Sequence, residues 1–296
     1  MSRHKCIICD NKNITQLYDL TFELSKNSER RVYYKCRSCK CVFVDDIKLR
    51  SNLERFYEED YYVFKDDAGL STRAEEDFRR FISPFNNKYN SLLEIGCAKG
   101  HLLALARDNG WTVAGIEISP FASNTAREKF KLDVYTGNVD NVSFRDRRFD
   151  LIVGFDVIEH VADPIQFLGC LKKLLNQGGT IIMDSPNPES IFSRLTKDAW
   201  AGFNAYHLQL FGSKSWQVAA NRTCLVIVDI NTDHYDISLI SERWRLAKFF
   251  SLKGFNRLMN FIDASFPKMV LKFLFERRLG DQMIVKLQSV SRKIDL

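Results

Sequence analysis

From Ser91 onward the chain repeats a single structural phrase: a short apolar strand, a glycine-bearing turn, then an amphipathic helix. Leu92-Leu93-Glu94-Ile95 runs into Gly96-Cys97-Ala98-Lys99-Gly100 and a predicted helix from His101 to Asn109 that stops at Gly110. A second strand, Thr112 to Ile116, finishes on Glu117. Further units are the strand Asp150 to Gly154, a helix from Pro164 to Asn176, the Gln177-Gly178-Gly179 turn and the strand Thr180 to Asp184. Strands separated by helices must cross over to pair in parallel, and the helices then cover both faces of the sheet. The fold class is therefore α/β and doubly wound.

The first turn constrains the ligand as well as the fold. Glycines at 96 and 100 let a ligand approach the backbone where side chains would block it. Glu117, one strand–helix–strand unit later, stands where an acid can accept both hydroxyls of a ribose. Together they imply a nucleoside. A pyrophosphate-binding fingerprint needs G-x-G-x-x-G, whereas this turn has Ala98 at the middle glycine and Glu94 before the first. An acid there repels pyrophosphate and suits a cationic ligand.

A separate module precedes this domain. Cys6-x-x-Cys9 and Cys36-x-x-Cys39 are flanked by turn-type or charged residues, and short alternating stretches such as Arg31-Val32-Tyr33-Tyr34 lie between them. Two such pairs place four thiolates at the corners of a tetrahedron about 2.3 Å from a zinc ion, and metal binding supplies the stability a ribbon this small lacks. The plainer alternative, four buried thiols in a reducing compartment, stays open. Cys41, beside Val42-Phe43-Val44, reads as an apolar strand residue. The expected division is a zinc ribbon over 1–45, an aromatic and helical connector over 46–90, and the α/β domain over 91–296, with a helical insertion at 241–280.

Charge is distributed in blocks. The total is +6. Residues 1–45 carry nine Lys/Arg against five Asp/Glu, residues 241–296 carry twelve against five, and the centre is acidic. Four thiolates around a dication also subtract about two charges from the first block. A basic total thus gives no case for nucleic acid, and the acidic centre argues against it. With no apolar run of eighteen residues and no apolar stretch at the start, the expectation is a cytoplasmic protein.

In the connector, Phe56-Tyr57 and Tyr61-Tyr62 bring aromatic rings among acids, and Ser71-Thr72-Arg73-Ala74-Glu75 looks like a capped helix start leading to Phe81-Ile82. It either covers the mouth of the next domain or simply packs.

The spelling of these motifs resembles the class I S-adenosylmethionine-dependent methyltransferases. Glu94-Ile95-Gly96-Cys97-Ala98-Lys99-Gly100 is similar to that family's first motif, and Gly115-Ile116-Glu117 to its ribose-binding strand end. Phe149 to Ile152, Phe155 to Val161, Asp163-Pro164 and Leu174 to Gly179 are similar to its fourth strand, the following loop and the turn before strand five. The resemblance covers about residues 90–240 and departs from the family at Ala98, where glycine is usual. It implies a seven-stranded Rossmann-like sheet binding S-adenosylmethionine through Glu94, Gly96, Cys97, Ala98, Gly100 and Glu117. Asn138 would approach the adenine. Asp156 would face the amino-acid portion, unless it is only a solvated loop acid.

A zinc ribbon joined to a Phe-Tyr…Tyr-Tyr connector further resembles methyltransferases of sugar and surface-polysaccharide pathways. In that subgroup, histidines after strands four and five serve the acceptor, and they correspond here to His160 and His207. A sugar hydroxyl, or a carbon beside a keto group, needs a base, and imidazole supplies one near neutral pH. His207 is assigned as general base with His160 as helper or alternative; His160 equally suits a brace for the loop before Pro164. Tyr206 replaces the glutamate common at its place in relatives, which leaves carbon and oxygen methylation both open. Trp200 and Phe203 either line the acceptor pocket or pack.

After a sixth strand, Leu225 to Ile230, the aromatic and basic insertion 241–280 precedes a last strand, Met283 to Leu287. Packing on the sheet edge accounts for most of its phenylalanines; peripheral contact with an anionic membrane at its inner face is a second use. The expected activity is methyl transfer to a nucleotide-linked or glycan-bound sugar in polysaccharide or glycoconjugate biosynthesis. The rivals are a zinc-ribbon ribosomal RNA methyltransferase and a non-catalytic cofactor-binding scaffold. Oligomeric state is not legible.

Overall fold

The computed structural model describes residues 5–23, 28–45, 67–142, 144, 147–233 and 279–289. The connector aromatics Phe56 to Tyr62 and nearly all of the 241–280 insertion, with its lid and membrane readings, lie outside the described residues. The chain divides into two compact units. A ribbon unit takes residues 1–45, 185–216 and 230–284, and a sheet unit takes 46–184, 217–229 and 285–296.

The ribbon unit starts with three strands, β1 (Ile14–Glu23), β2 (Ser28–Cys36) and β3 (Val42–Val44). β1 and β2 form an antiparallel ladder from Ile14 opposite Cys36 to Glu23 opposite Ser28, with an irregularity between Gln16 and Tyr18. β2 pairs antiparallel with β3 through Tyr34 and Phe43.

The first described helix of the sheet unit is α1 (Asp67–Asp77), which widens into a π-helical turn at Phe78–Ile82 and then tightens into a 3₁₀ turn at Ser83–Phe85. Ser71 does not begin this helix. The hydroxyl of Thr72 donates to the Ala68 carbonyl one turn back at 3.1 Å, so this polar pair lies inside the helix. Then follow β4 (Ser91–Ile95), α2 (His101–Asp108), β5 (Thr112–Glu117), α3 (Pro120–Phe130), β6 (Val134–Thr136), β7 (Phe149–Gly154), α4 (Pro164–Leu174) and β8 (Leu175–Pro186). The chain continues through α5 (Ile191–Thr196), β9 (Gln209–Leu210), α6 (Ser213–Arg222), β10 (Leu225–Asp233) and β11 (Gln282–Ser289).

Seven strands share one sheet in the order β10-β11-β8-β7-β4-β5-β6. The pairs β4·β5, β5·β6, β4·β7 and β7·β8 are parallel. Leu92, Leu93, Leu151, Ile152, Val153, Ile181 and Ile182 are all buried, as strands covered on both faces require. Helix starts are set locally. The Ser119 hydroxyl accepts from the Ala122 amide, and Asp163 accepts from Ile165 and Gln166, each ahead of a proline in the first turn. β8 is longer than the sequence predicts because Gln177-Gly178-Gly179 lies within it, and its ladder with β7 shifts register between Phe149 and Leu151. From β4 the order runs out through β5 and β6, then reverses to β7. The reversal leaves a crevice at the carboxyl ends of β4 and β7, which positions a ligand site in such sheets.

In the ribbon unit, β9 adds to β3 with Val42 opposite Leu210, completing a four-stranded sheet. The segment before β9 is tied to β2. The Tyr33 hydroxyl donates to the Asn204 carbonyl at 2.7 Å, and Arg31 Nε donates to the Ala205 carbonyl at 3.0 Å. Phe203 packs edge-on against Tyr18, Tyr33 and Trp200 with centroids 4.8–5.4 Å apart. Trp200 and Phe203 are therefore core residues of this unit.

Candidate functional site

The glycine turn after β4 bends through three positive φ values, +70° at Gly96, +48° at Ala98 and +85° at Gly100. Both the Gly96 and Cys97 amides donate to the Ile116 carbonyl, at 2.8 and 3.2 Å, which fixes the turn against the end of β5. A Cβ at Gly100 would stand 2.9 Å from the Ala126 Cβ and 2.6 Å from Leu132 Cδ1; one at Gly96 would stand 2.8 Å from Val157 Cγ2. Neither position has room for a side chain. Cys97 points inward, its sulfur 2.7 Å from where Gly115 would carry a Cβ. Burial, and then the charges of Glu94 and Glu117, push its thiol well up, so only its backbone is offered to a ligand.

Glu117 is buried and holds the turn. Its Oε2 accepts from the Ala98 amide at 2.9 Å and its Oε1 from the Ser119 amide at 2.8 Å. A carboxylate oxygen can accept more than one hydrogen bond, so an acid at this strand end is of the chemical type that receives ribose hydroxyls. Gly137, after β6, donates to the Glu117 carbonyl at 2.9 Å, and the exposed Asn138 follows it. That places Asn138 on the β6 side of Glu117.

Glu94 is the anomaly of the site. It is 7% exposed, and its Oε2 has no hydrogen-bond partner among the described residues. Burial first, then the charges of Asp77 and Glu117, push its carboxyl well up against the pull of Arg73. Asp77, at the end of α1, is itself pushed up to about 6 by burial, although Arg73 Nε lies 3.4 Å from its Oδ2. The other side of the same guanidinium is committed: Arg73 Nη1 donates to Asp156 Oδ2 at 2.9 Å. Asp156 has φ +53°, and its amide donates to Asp184 Oδ1 at 2.6 Å. Arg73 and Asp77 were not foreseen from the sequence. The signal available was an acidic, basic helix immediately before the first strand of the sheet. α1 is also pinned at its start, where Asp67 bonds Lys99 of the turn at 3.1 Å and Lys129 of α3 at 2.6 Å.

The two histidines lie in different units. In the sheet unit, His160 follows β7, and its amide donates to the Val157 carbonyl at 2.9 Å. Asp163, not His160, caps α4. Neighbouring Glu159 is fully buried, and neither carboxylate oxygen has a hydrogen-bond partner among the described residues. Its Oε1 is 4.0 Å from His160 Nε2. Burial, then the charges of Asp156 and Asp184, push Glu159 well up. In the ribbon unit, His207 is buried rather than open, with Nδ1 2.9 Å from the Gly202 carbonyl and the Asn204 amide 3.1 Å from each ring nitrogen. A proton on Nδ1 donates to Gly202 and leaves Nε2 as the accepting nitrogen, with the Asn204 Nδ2 donor 3.1 Å from it.

The cysteines converge. The sulfurs of Cys6, Cys9, Cys36 and Cys39 all lie within 4.8 Å of one another, with Cys6–Cys39 at 3.4 Å and Cys9–Cys36 at 3.5 Å. A tetrahedron with metal–sulfur bonds of about 2.3 Å has edges of about 3.8 Å, whereas a disulfide is only about 2.05 Å long. The two pairs are built alike. Asp10 and Lys40, with φ +57° and +67°, donate to the carbonyls of Cys6 and Cys36, whose own amides donate to Asn11 and Cys41. The Ile8 amide also points at Cys6 Sγ, at 3.4 Å. Cys41 is left out of the tetrad, its thiol directed at the Val42 carbonyl. The donor set fits a closed structural metal site.

Residues 68–230, more than half of the chain, match the family described as "Methyltransferase domain". A ubiquinone biosynthesis O-methyltransferase from Cereibacter sphaeroides is 28% identical over 134 residues, 43% of this chain and 54% of that protein. A probable S-adenosylmethionine-dependent methyltransferase from Mycolicibacterium smegmatis is 30% identical over 97 residues, 32% of this chain and 38% of that protein. The chain thus spans about half or less of the curated relatives it matches. Among solved structures, a SAM-dependent methyltransferase from Archaeoglobus fulgidus superposes with TM-score 0.50 at 19% identity, covering 78% of this chain and 97% of that one. The match over 68–230 and the sheet order agree: this chain belongs to the methyltransferase-domain family and has the class I fold of the S-adenosylmethionine-dependent enzymes.

Proposed function

We propose that the chain transfers a methyl group from S-adenosylmethionine to a sugar, nucleotide-linked or glycan-bound, in polysaccharide or glycoconjugate biosynthesis. The observation that carries the donor is the buried Glu94 oxygen without a partner beside a turn that has no room for side chains at Gly96 and Gly100. A buried acid left unpaired costs free energy unless a positively charged ligand meets it. The donor brings a sulfonium that is already a good leaving group, so the protein's task is to align it and to prepare the acceptor. Glu117 receives the ribose hydroxyls, the backbone from Gly96 to Gly100 lies along the nucleoside, and Glu94 faces the positive charge. Asn138 serves the adenine side and Asp156 the amino-acid side. His207, through Nε2, takes the acceptor's proton, and His160 assists or replaces it.

The sugar assignment rests on the resemblance of the cysteine pairs and the Phe56–Tyr62 aromatics to the polysaccharide subgroup. The name of one curated relative, a ubiquinone biosynthesis O-methyltransferase, favours an oxygen acceptor in ubiquinone biosynthesis as the second reading. Zinc at Cys6, Cys9, Cys36 and Cys39 belongs to the same proposal and is structural, with all four donors supplied by protein. Among the described residues, no helix is long and apolar enough to cross a membrane.

Incubation with methyl-labelled donor and separated pools of sugar nucleotides, glycans, phenols and RNA tests the assignment. Label in a sugar pool supports it. Label in phenols or RNA replaces the acceptor, and donor binding with no label in any pool leaves a cofactor-binding scaffold.

A further inference from the structure

Glu94 is more than nine-tenths buried, and its Oε2 is unpartnered among the described residues. Apart from burial, the largest influence raising its carboxyl is the charge of Asp77, ahead of that of Glu117. Asp77 is 15% exposed, and the cation it pairs with among the described residues, Arg73, lies 3.4 Å away through the edge of a guanidinium whose Nη1 bonds Asp156 at 2.9 Å. Two carboxyls therefore share one partly committed cation at the end of β4. Glu117, at the end of β5, is already occupied by the Ala98 and Ser119 amides and is the ribose acid. Among the described residues, what remains unmatched around β4 is negative, and the amino-acid portion of a nucleoside sulfonium offers an ammonium group.

We propose that Asp77 is a specificity residue that, with Glu94, receives the ammonium group of the ligand's amino-acid portion. This rests on the donor reading above. α1 is held at its start by Asp67 on Lys99 and Lys129 and farther along by Arg73 on Asp156. The groups facing Asp77 are Arg73, which lowers its carboxyl, and Asp156, Glu76 and Glu94, of which the first two raise it directly and the third is raised by it in turn. Burial leaves Asp77 about half protonated near pH 6. An arriving ammonium favours the ionised form, so binding releases protons at that pH.

The experiment is calorimetry on the full, metal-replete chain with two stable probes, S-adenosylhomocysteine and 5′-methylthioadenosine. Both carry the nucleoside, and only the first carries the ammonium. Asp77→Asn is expected to weaken S-adenosylhomocysteine about tenfold, the size of one nearby charge, and to leave methylthioadenosine unchanged. Asp77→Glu is expected to restore most of the loss. Proton release, read at pH 6 in two buffers of different ionisation enthalpy, should shrink in Asp77→Asn. Equal weakening of both probes, or of neither, overturns the role of Asp77. Binding of neither probe by the unmodified chain overturns the donor reading instead, so the two failures are distinct.

Discussion

Glu117 accepts a hydrogen bond from the Ala98 amide at 2.9 Å, so the acid that ends β5 also props the residue in the middle of the glycine turn. Ala98 needs the support, because φ +48° is a conformation a residue with a Cβ resists. Ala98→Gly should raise stability by up to about 1 kcal/mol, measured by denaturant unfolding, and leave S-adenosylhomocysteine affinity within about twofold. Glu117→Ala removes both turn bonds and the proposed ribose acceptor together, and should weaken that ligand by about 100-fold or more in calorimetry. Affinity that survives Glu117→Ala would falsify the ribose role.

Asp77 sets a pH dependence in the ligand-free protein. In the unfolded chain it ionises near pH 4, whereas in the fold it keeps its proton to about 6. The folded state binds more protons across that interval, so the stability Asp77 allows below pH 4 is lost as pH rises through 6. Glu94, also pushed up, acts in the same direction. At pH 8, Asp77→Asn should stabilise the ligand-free chain by about 1–3 kcal/mol, and at pH 4 by almost nothing. Thermal scans at the two pH values decide the matter; a benefit that is the same at both contradicts it.

The cysteine tetrad predicts one bound zinc per chain, read by elemental analysis of purified protein. Cys9→Ser or Cys36→Ser should abolish stoichiometric binding and lower the unfolding temperature of the ribbon unit, as strong chelator should in the unmodified chain. Cys41→Ser should keep the metal, because its sulfur turns toward the Val42 carbonyl. Full metal content in Cys36→Ser refutes the four-sulfur site.

His207→Gln should leave nucleoside affinity nearly intact while lowering turnover about 10²-fold. His207 also bonds the Gly202 carbonyl at 2.9 Å, so the unfolding midpoint must be measured alongside. Lost stability at an unchanged rate assigns the residue to packing, and the base role passes to His160.

Signals carried within a few residues were legible before the structure. The apolar run into Gly96 and Gly100, the acid at 117 and the four cysteines each declare themselves by spacing, and the seven-stranded sheet agrees with the fold read from the first of these. β6 and β9 went unread because three and two residues carry no periodicity. α3 could have been found, since Ser119-Pro120 is a helix start in miniature. The Ser71-Thr72 start misled for the opposite reason: capping residue types also occur inside helices, and nothing local marks Thr72 as bonding backward to Ala68. The Arg73–Asp156 pair joins positions 83 residues apart, and the burial that sets Asp77 is a property of the packed unit. Neither is written in any local window.

The pairing of Val42 with Leu210 has a consequence for biosynthesis. The amino-terminal strands leave the ribosome long before their last neighbour is translated, so β3 waits as an open edge while the intervening polypeptide emerges. Until then the nascent ribbon lacks that neighbour, and on the proposed metal reading of its four thiols, scarcity of metal during translation would expose it to chaperones and proteases more than scarcity afterwards.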